Sequence, residues 1–330
     1  MLSQPQHVVR PLAATLVLWA ALAVGILSAT AQEYPQQRPI RLIVPFPPGG
    51  VTDVLGRSLG AKLGERLGQP VIVENRPGGG AIIGSTAVAK AAPDGHTLLL
   101  SAASHATFSS LYEKLPFDPV KDFEPVALMA SLPYLLVAHP SLPASSVAEL
   151  IAYAKANPGK ISYAGSAPGL AQHLGWELLK RMTDTDMVYV PYKGSSAQMP
   201  DLLAGRVHAA IDSILIMMPH LKNDSLRALA VTSAQRSPLL PNLPTVAETV
   251  PDFQAMGWFG LFAPAGTPPE IVKRINQEVS AVMQEKAIRD QMLAQGVETL
   301  SGPPEDLRRW LDREIGVWGK VIREAGIKIN

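Results

Sequence analysis

Short apolar runs alternate along this chain with segments whose apolar residues recur every three or four positions. The first pattern predicts strands and the second helices. Strands are predicted over Ile40–Val44, Val71–Glu74, Thr97–Ser101, Tyr134–Ala138, Lys160–Tyr163, Met187–Pro191, Ala209–Asp212, Leu226–Val231 and Trp258–Ala263. Helices are predicted over Thr52–Leu67, Val147–Ala156, Ala171–Met182, Ser196–Ala204, Pro269–Gln284, Lys286–Gln295 and Glu305–Ala325. The first helix carries Leu55, Leu59, Leu63 and Leu67 on one stripe. The second begins after Ser145 or Ser146, either a cap, and is stopped by Asn157-Pro158-Gly159. Alternation of this kind is the order of an α/β fold.

Two apolar runs differ from the rest. Leu132–His139 and Trp258–Pro264 are bordered by prolines, and the chain between them is long enough for a domain of its own. They are expected to be crossovers between two lobes, one of residues 32–130 with 256–330 and the other of 131–255. Neither an internal repeat nor a low-complexity segment is visible. The 30 prolines, many at turns, point to rigid connections.

Residues 1–31 stand apart. Arg10 is the sole charge ahead of the apolar run Leu12–Leu27, and Ala29 and Ala31 are the small residues that a cut after Ala31 requires. This is the layout of a secretory leader. The alternative is a membrane anchor, but a run of ~16 residues falls short of the ~20 that a spanning helix needs. Without the leader, 330 less 31 leaves 299 residues, enough for one large or two medium domains. The 29 basic residues less Arg10 leave 28, against 28 acidic ones. With no basic block either, the chain is not built to track a nucleic-acid backbone. It has no cysteine. Stability must therefore come from the core, and no cysteine follows the leader to carry a lipid. A free protein in a bacterial periplasm is expected.

Polar residues recur just past the C-terminal ends of the predicted strands, the edge where open α/β sheets bind ligands. The first such loop supplies Phe46, Pro48, Gly49, Gly50, Thr52 and Asp53. Its glycine turn into a helix leaves backbone N–H groups aimed forward, a site for a carboxylate or phosphate. Asp53 also suits a helix's first turn, where it offsets the dipole by ~0.3–1 kcal/mol. As a ligand contact it would repel an anion unless it held a water or an amino group. Further loops supply Ser101, Ser104 and His105, then Ser166, Gly169 and His173, then Tyr192 and Lys193, and finally Asp212. Hydroxyls donate to a carboxylate without a charge penalty. The histidines serve equally well as satisfied structural groups, Lys193 as a surface lysine and Asp212 as a helix cap. Gly78-Gly79-Gly80-Ala81-Ile82-Ile83-Gly84 lacks the spacing of a dinucleotide fingerprint and reads as a second strand–helix turn.

Signals for catalysis are poor. Gly165-Ser166-Ala167-Pro168-Gly169 has its serine one place early for a nucleophile elbow. The seven histidines show no metal-ligand spacing, and a cysteine nucleophile is impossible. Neither a metal nor a cofactor is expected.

The residues after the leader resemble, over nearly their whole length, the Bug-type solute receptors of tripartite tricarboxylate transporters. The resemblance rests on Pro39-Ile-Arg-Leu-Ile-Val-Pro-Phe-Pro-Pro-Gly-Gly50 with Thr52-Asp53, Val73-Glu-Asn-Arg-Pro-Gly-Gly-Gly80, Pro93-Asp-Gly-His-Thr-Leu98 and Phe117-Asp-Pro-Val-Lys-Asp-Phe123. Asn157-Pro-Gly-Lys160, Val190-Pro-Tyr-Lys-Gly194, Leu229-Ala-Val-Thr-Ser233, Leu243-Pro-Thr245 and Ala263-Pro-Ala-Gly-Thr-Pro268 extend it. It implies a type II periplasmic-binding-protein fold, two α/β lobes joined by crossover strands, with the ligand cleft between them. It also implies a monomeric, non-catalytic receptor that binds a small carboxylate and delivers it to membrane transporter subunits. The family tends to hold its solute with backbone amides, hydroxyls and waters rather than an arginine.

One departure matters. Where the family often has Gly-x-Gly-Ser-x-x-His, this chain has Ala167-Pro168-Gly169-Leu170-Ala171-Gln172-His173. Leu170 in place of serine implies a less polar site, and so a preference for an aromatic or partly apolar carboxylate over citrate-like ones. Two alternatives stay open: a receptor that reports to a sensor protein, and an exported hydrolase with Ser101, Ser104 or Ser166 as nucleophile.

Overall fold

A computed structural model describes residues 34–35, 38–165, 169–192 and 195–329; the expected leader lies outside them. The first lobe opens with β1 (Ile40–Val44), α1 (Val51–Leu67), β2 (Val71–Asn75), α2 (Ile82–Ala89), β3 (Thr97–Ala102) and α3 (Phe108–Leu111). Then come β4 (Phe123–Ala138), α4 (Val147–Ala156), β5 (Ser162–Gly165), α5 (Ala171–Thr183), β6 (Val188–Pro191), α6 (Ser195–Leu203), β7 (Ala209–Ser213), α7 (Ile214–Leu221) and β8 (Arg227–Val231). The chain closes with β9 (Met256–Pro264), α8 (Pro269–Gln284), α9 (Lys286–Leu293), β10 (Glu298–Thr299) and α10 (Pro304–Glu324).

Local chemistry accounts for the boundaries. The leucine stripe of α1 is buried, and Gly68 ends the helix at φ 68°, a left-handed cap that suits glycine. Ser146 is the cap of α4: its side chain accepts from Glu149 N, and the Glu149 carboxylate returns to Ser145 N at 2.7 Å. The strand expected at Lys160 begins two residues later, because Lys160 N–H closes the preceding turn onto Asn157 O. Glu-rich and Arg-rich α10 buries only its inner stripe, including Leu307, Leu311, Trp318 and Ile322.

The sheets decide where a ligand can go. β1 runs parallel to β2 and β3, and β3 pairs antiparallel with β9. β4 is longer than the expected Tyr134–Ala138. Its first part pairs with β9 from Phe123 to Pro133, and its last five residues pair with β7 and β8. This one strand therefore runs through both sheets. The second sheet is completed by β5, which lies parallel to β6 and β7. β9, expected as the second crossover, pairs throughout with β3 and β4 of the first sheet. Thr232, fully buried, ties the chain on either side of it to β4 and to the approach to β9: its N–H donates to Tyr134 O at 3.0 Å and its carbonyl accepts from Ala255 N at 3.1 Å. The fold is a two-lobed α/β architecture. α10 packs on β4, α3 and α5, and so touches both lobes. Among the described residues no helix is long and apolar enough to cross a membrane.

Candidate functional site

Asp53 pins the turn between β1 and α1. Its Oδ2 accepts from Gly49 N at 2.9 Å and from Arg57 Nε at 3.0 Å, and its Oδ1 accepts from Asn75 Nδ2 at 2.9 Å. Asn75 also donates to Phe46 O at 3.2 Å, so β2 holds both ends of the turn. The hydrogen bond from Arg57, aided by those from Gly49 and Asn75, overcomes burial and holds the Asp53 carboxyl down at about 2. Gly49 needs its φ of 86° to present its N–H to that carboxylate.

A second turn follows β2. Gly78, Gly79, Gly80 and Ala81 all have positive φ, and a Cβ at Gly80 would run into the Tyr112 hydroxyl. Together with the segment after β3, these turns form one side of a cavity of about 370 Å³. Pro45, Phe46, Pro47, Ala81 and Ser104 line that side, Leu132, Tyr134, Trp258 and Phe259 line the middle, and Leu170, Ala171 and Gln172 line the second-lobe side. Among the described residues that line it, none is charged. Leu170 is the N-cap of α5 and supplies no side-chain cap. Leu170, Ala171 and Gln172, at this end of the helix and of its dipole, are the residues that line the cavity here.

The far wall is clamped from behind. Trp258 Nε1 donates to Glu314 Oε2 at 3.2 Å, and Trp318 Nε1 donates to the same oxygen at 2.7 Å. Glu314 is buried, and that burial pushes its pKa up while the Trp318 N–H pulls the other way. Trp318 borders a seam shared with Ser104, Gly169 and Leu170. A Cβ on Gly169 would sit 2.7 Å from Leu111, so the lobes meet closely here.

Of the residues singled out from sequence, the structure places Phe46 and Ser104 on the cavity and Gly169 in the adjoining seam. Pro48, Gly49 and Gly50 are exposed on the outer part of their turn, and Thr52 and Asp53 are buried beneath it. Ser101 is fully buried, its hydroxyl without a partner. His105 faces the core: it stacks on Phe262 at 4.5 Å, and its Nε2–H donates to Pro119 O at 2.8 Å. Burial holds its pKa down at about 4. His173 stacks on Tyr189 at 4.1 Å, its Nδ1 accepts from Gly169 N at 3.2 Å, and burial lowers its pKa. The Tyr192 hydroxyl donates to Asp201 at 2.7 Å. Buried Asp212 accepts from Gln198 Nε2 at 2.5 Å and Ser213 N at 2.7 Å, and from Ser195 and Gln172. Ser166 and Lys193 lie outside the described residues. Sequence reading passed over Tyr134 and Trp258 as lining residues, although both fall in the apolar runs it marked as crossovers.

Two α/β lobes sharing one through-strand, with a cavity at their junction that no charged residue lines among those described, make the architecture of a cleft-type solute-binding protein. The chain matches the model of the tripartite tricarboxylate transporter family receptor over residues 55–327. It is 40% identical to the protein BugT of Bordetella pertussis over 322 residues, 97% of this chain and 98% of that protein. The solved structure of R. palustris Rpa4515 with adipate is 39% identical, with a TM-score of 0.73 over 90% of this chain and 100% of that one. MatC (Rpa3494) from Rhodopseudomonas palustris with bound malate is 33% identical, with a TM-score of 0.69 over 86% and 99%. The chain belongs to the tripartite tricarboxylate transporter receptor family, whose members are periplasmic solute-binding receptors. It is a receptor and not an enzyme.

Proposed function

We propose that this protein is an extracytoplasmic receptor that closes on a small carboxylate and delivers it to the membrane subunits of a tripartite tricarboxylate-type transporter. The observation that carries the reading is the N-terminal end of α5, whose N-cap Leu170 offers no side-chain acceptor and whose first residues line a cavity with no charged lining residue among those described. An anion there meets backbone N–H groups and the positive end of a helix dipole. Ser104 and Tyr134, both uncharged, line the same cavity, and the Ser104 hydroxyl is buried without a partner. Adipate in Rpa4515 and malate in MatC are ligands of the same chemistry.

On this reading residues 1–31 direct export to the periplasm and are cut off after Ala31. The lobe of residues 32–130 with 256–330 and the lobe of 131–255 then close over the solute as a monomer. On the same reading Ser166 and Lys193 are contacts of the solute. Asp53 acts by shaping the first turn. Thermal melting of ligand-stripped, refolded protein against a panel of small carboxylates tests the reading. A ligand at 100 times its Kd adds about 2.7 kcal/mol of stability, a clear upward shift. A flat response across the panel overturns it.

A further inference from the structure

We infer that neutral His173 is a positioning residue of the solute site, holding the turn into α5 in place, and that protonating its ring weakens solute binding. The inference rests on the carboxylate-receptor reading and adds to it what controls the site. His173 is 4% exposed and follows the lining residues Leu170, Ala171 and Gln172 along the chain. Its Nδ1 accepts from Gly169 N at 3.2 Å, back across the start of the helix. A side chain in the third helical position that reaches back to a backbone N–H is half of a capping box, here with an imidazole where glutamate or glutamine usually stands. Leu170, at the N-cap, supplies no side-chain acceptor for the other half. The bond fixes Gly169, whose φ is 82° and on which a Cβ would stand 2.7 Å from Leu111 of the first lobe. The ring thus sets a turn that leads into the second-lobe wall of the cavity and also meets the other lobe.

Protonation turns that acceptor into a donor. Two N–H groups would then face each other, and a positive charge would sit at the positive end of the α5 dipole. Glu177, one turn on, stands 3.8 Å from Nε2 and favours the cation, but its carboxylate already accepts from the Tyr163 hydroxyl of β5 and from Lys180 Nζ at 3.1 Å. Tyr189 of β6 brings its ring, stacked at 4.1 Å. Burial, aided by the charge of Lys180, outweighs Glu177 and lowers the ring's pKa from its ordinary 6.5. Closure on a solute brings the Gly169 turn against the first lobe and needs this bond intact, so the closed site takes the neutral ring. Affinity is therefore flat above pH 6.5 and falls below it, by at most about tenfold per pH unit.

Titration calorimetry on ligand-stripped protein from pH 7.5 to 5 decides it, with the tightest binder among adipate, malate and benzoate as probe. His173→Asn places an amide oxygen, which does not titrate, near the position of Nδ1; His173→Phe keeps a ring for Tyr189 and has no acceptor. At pH 7.5 His173→Asn is expected within about threefold of wild type, and His173→Phe about fivefold weaker or more. Towards pH 5 wild type should lose at least about threefold more affinity than His173→Asn, which corrects for protonation of the probe itself. Circular dichroism checks that each variant is folded, and if His173→Phe is not, the comparison of pH profiles decides alone. A wild-type profile that tracks His173→Asn, or a folded His173→Phe that binds as tightly as wild type, overturns the inference and leaves the receptor reading standing. Silence from all three ligands at pH 7.5 overturns the carboxylate reading and this inference with it.

Discussion

Asp53→Ala separates a residue that builds the cleft from one that touches the solute. Asp53 is 4% exposed, and the substitution strips Gly49 N–H and the Asn75 amide of their shared acceptor. A hydrogen bond to a charged group contributes ~1.5–3 kcal/mol, but water can reach the exposed side of this turn and recover part of that. Arg57 is 55% exposed and loses less, because solvent already screens its pairing. A net loss of ~2–4 kcal/mol is expected. With an unfolding entropy of ~2.1 cal/mol/K per residue, a chain of this size should melt ~3–7 °C lower. The turn also holds Pro45, Phe46 and Pro47 against the cavity, and re-ordering about one residue on binding costs ~1–2 kcal/mol. Affinity for the carboxylate should therefore fall about tenfold and not vanish. The pH dependence follows from the depressed pKa. The carboxylate contributes in full above its ordinary value of 3.8 and stops contributing as pH falls through about 2. The gap in stability between wild type and Asp53→Ala should hold from pH 8 to about 4 and close below that. Chemical denaturation across pH, with calorimetry at pH 7, reads both quantities. Complete loss of binding with unchanged melting would show Asp53 to be a solute contact and refute the reasoning.

Two further substitutions probe the groups behind the cleft. Glu314→Leu leaves two buried indole N–H groups without an acceptor, at ~1–3 kcal/mol each, and should lower stability and shift the tryptophan emission of the folded protein. Glu314→Gln keeps a carbonyl acceptor and should lose clearly less in the same denaturant titration. His105 is charged more easily unfolded than folded, since burial lowers its pKa from 6.5 to about 4. Unfolding therefore takes up protons in that window, and stability should drop by up to about 1.4 kcal/mol per pH unit between pH 6.5 and 4. His105→Gln, whose amide can still donate to Pro119 O, should flatten that slope.

The alternation of strands and helices was legible because each element's burial follows its own period. The turn from β1 into α1 was legible because Gly49 and Gly50 have few other uses at a strand's end. The side-chain directions past the strands were not. β3 runs on through Ala102, and a short 3₁₀ turn then rotates His105 into an aromatic cluster of Phe108, Phe123 and Phe262. No local pattern marks that rotation. Asp53 looked available for a ligand until Asn75, 22 positions away, was brought to it by the pairing of β1 with β2. Trp258 and Tyr134 line the cavity only because β9 lies on β4 in a register that sets Trp258 opposite Ser131 and Leu132 opposite Gly257. Gly257 then leaves room for the Tyr134 hydroxyl, which lies 2.9 Å from where a Cβ would be. Contacts between distant strands carry this information, and a linear reading does not contain it.

On the proposed reading, neutral recognition suits a receptor that must also let go. An arginine in this cavity would be a buried charge whenever the cleft closed without a solute, at a cost of several kcal/mol. It would also hold a carboxylate by a pair that is hard to dissolve once water is excluded. Helix N–H groups and hydroxyls can return to water when the lobes part, so most of the attraction depends on closure itself. The far wall of the cavity is joined to the lobe seam by hydrogen bonds. Glu314 ties Trp258, on the cavity, to Trp318, which borders Gly169 and Leu170. Displacing α5 from that seam loosens one indole and, through the shared carboxylate, the other. On the proposed reading, opening for delivery therefore weakens both sides of the site at once, the α5 N-terminus by moving it and the aromatic wall by releasing its clamp.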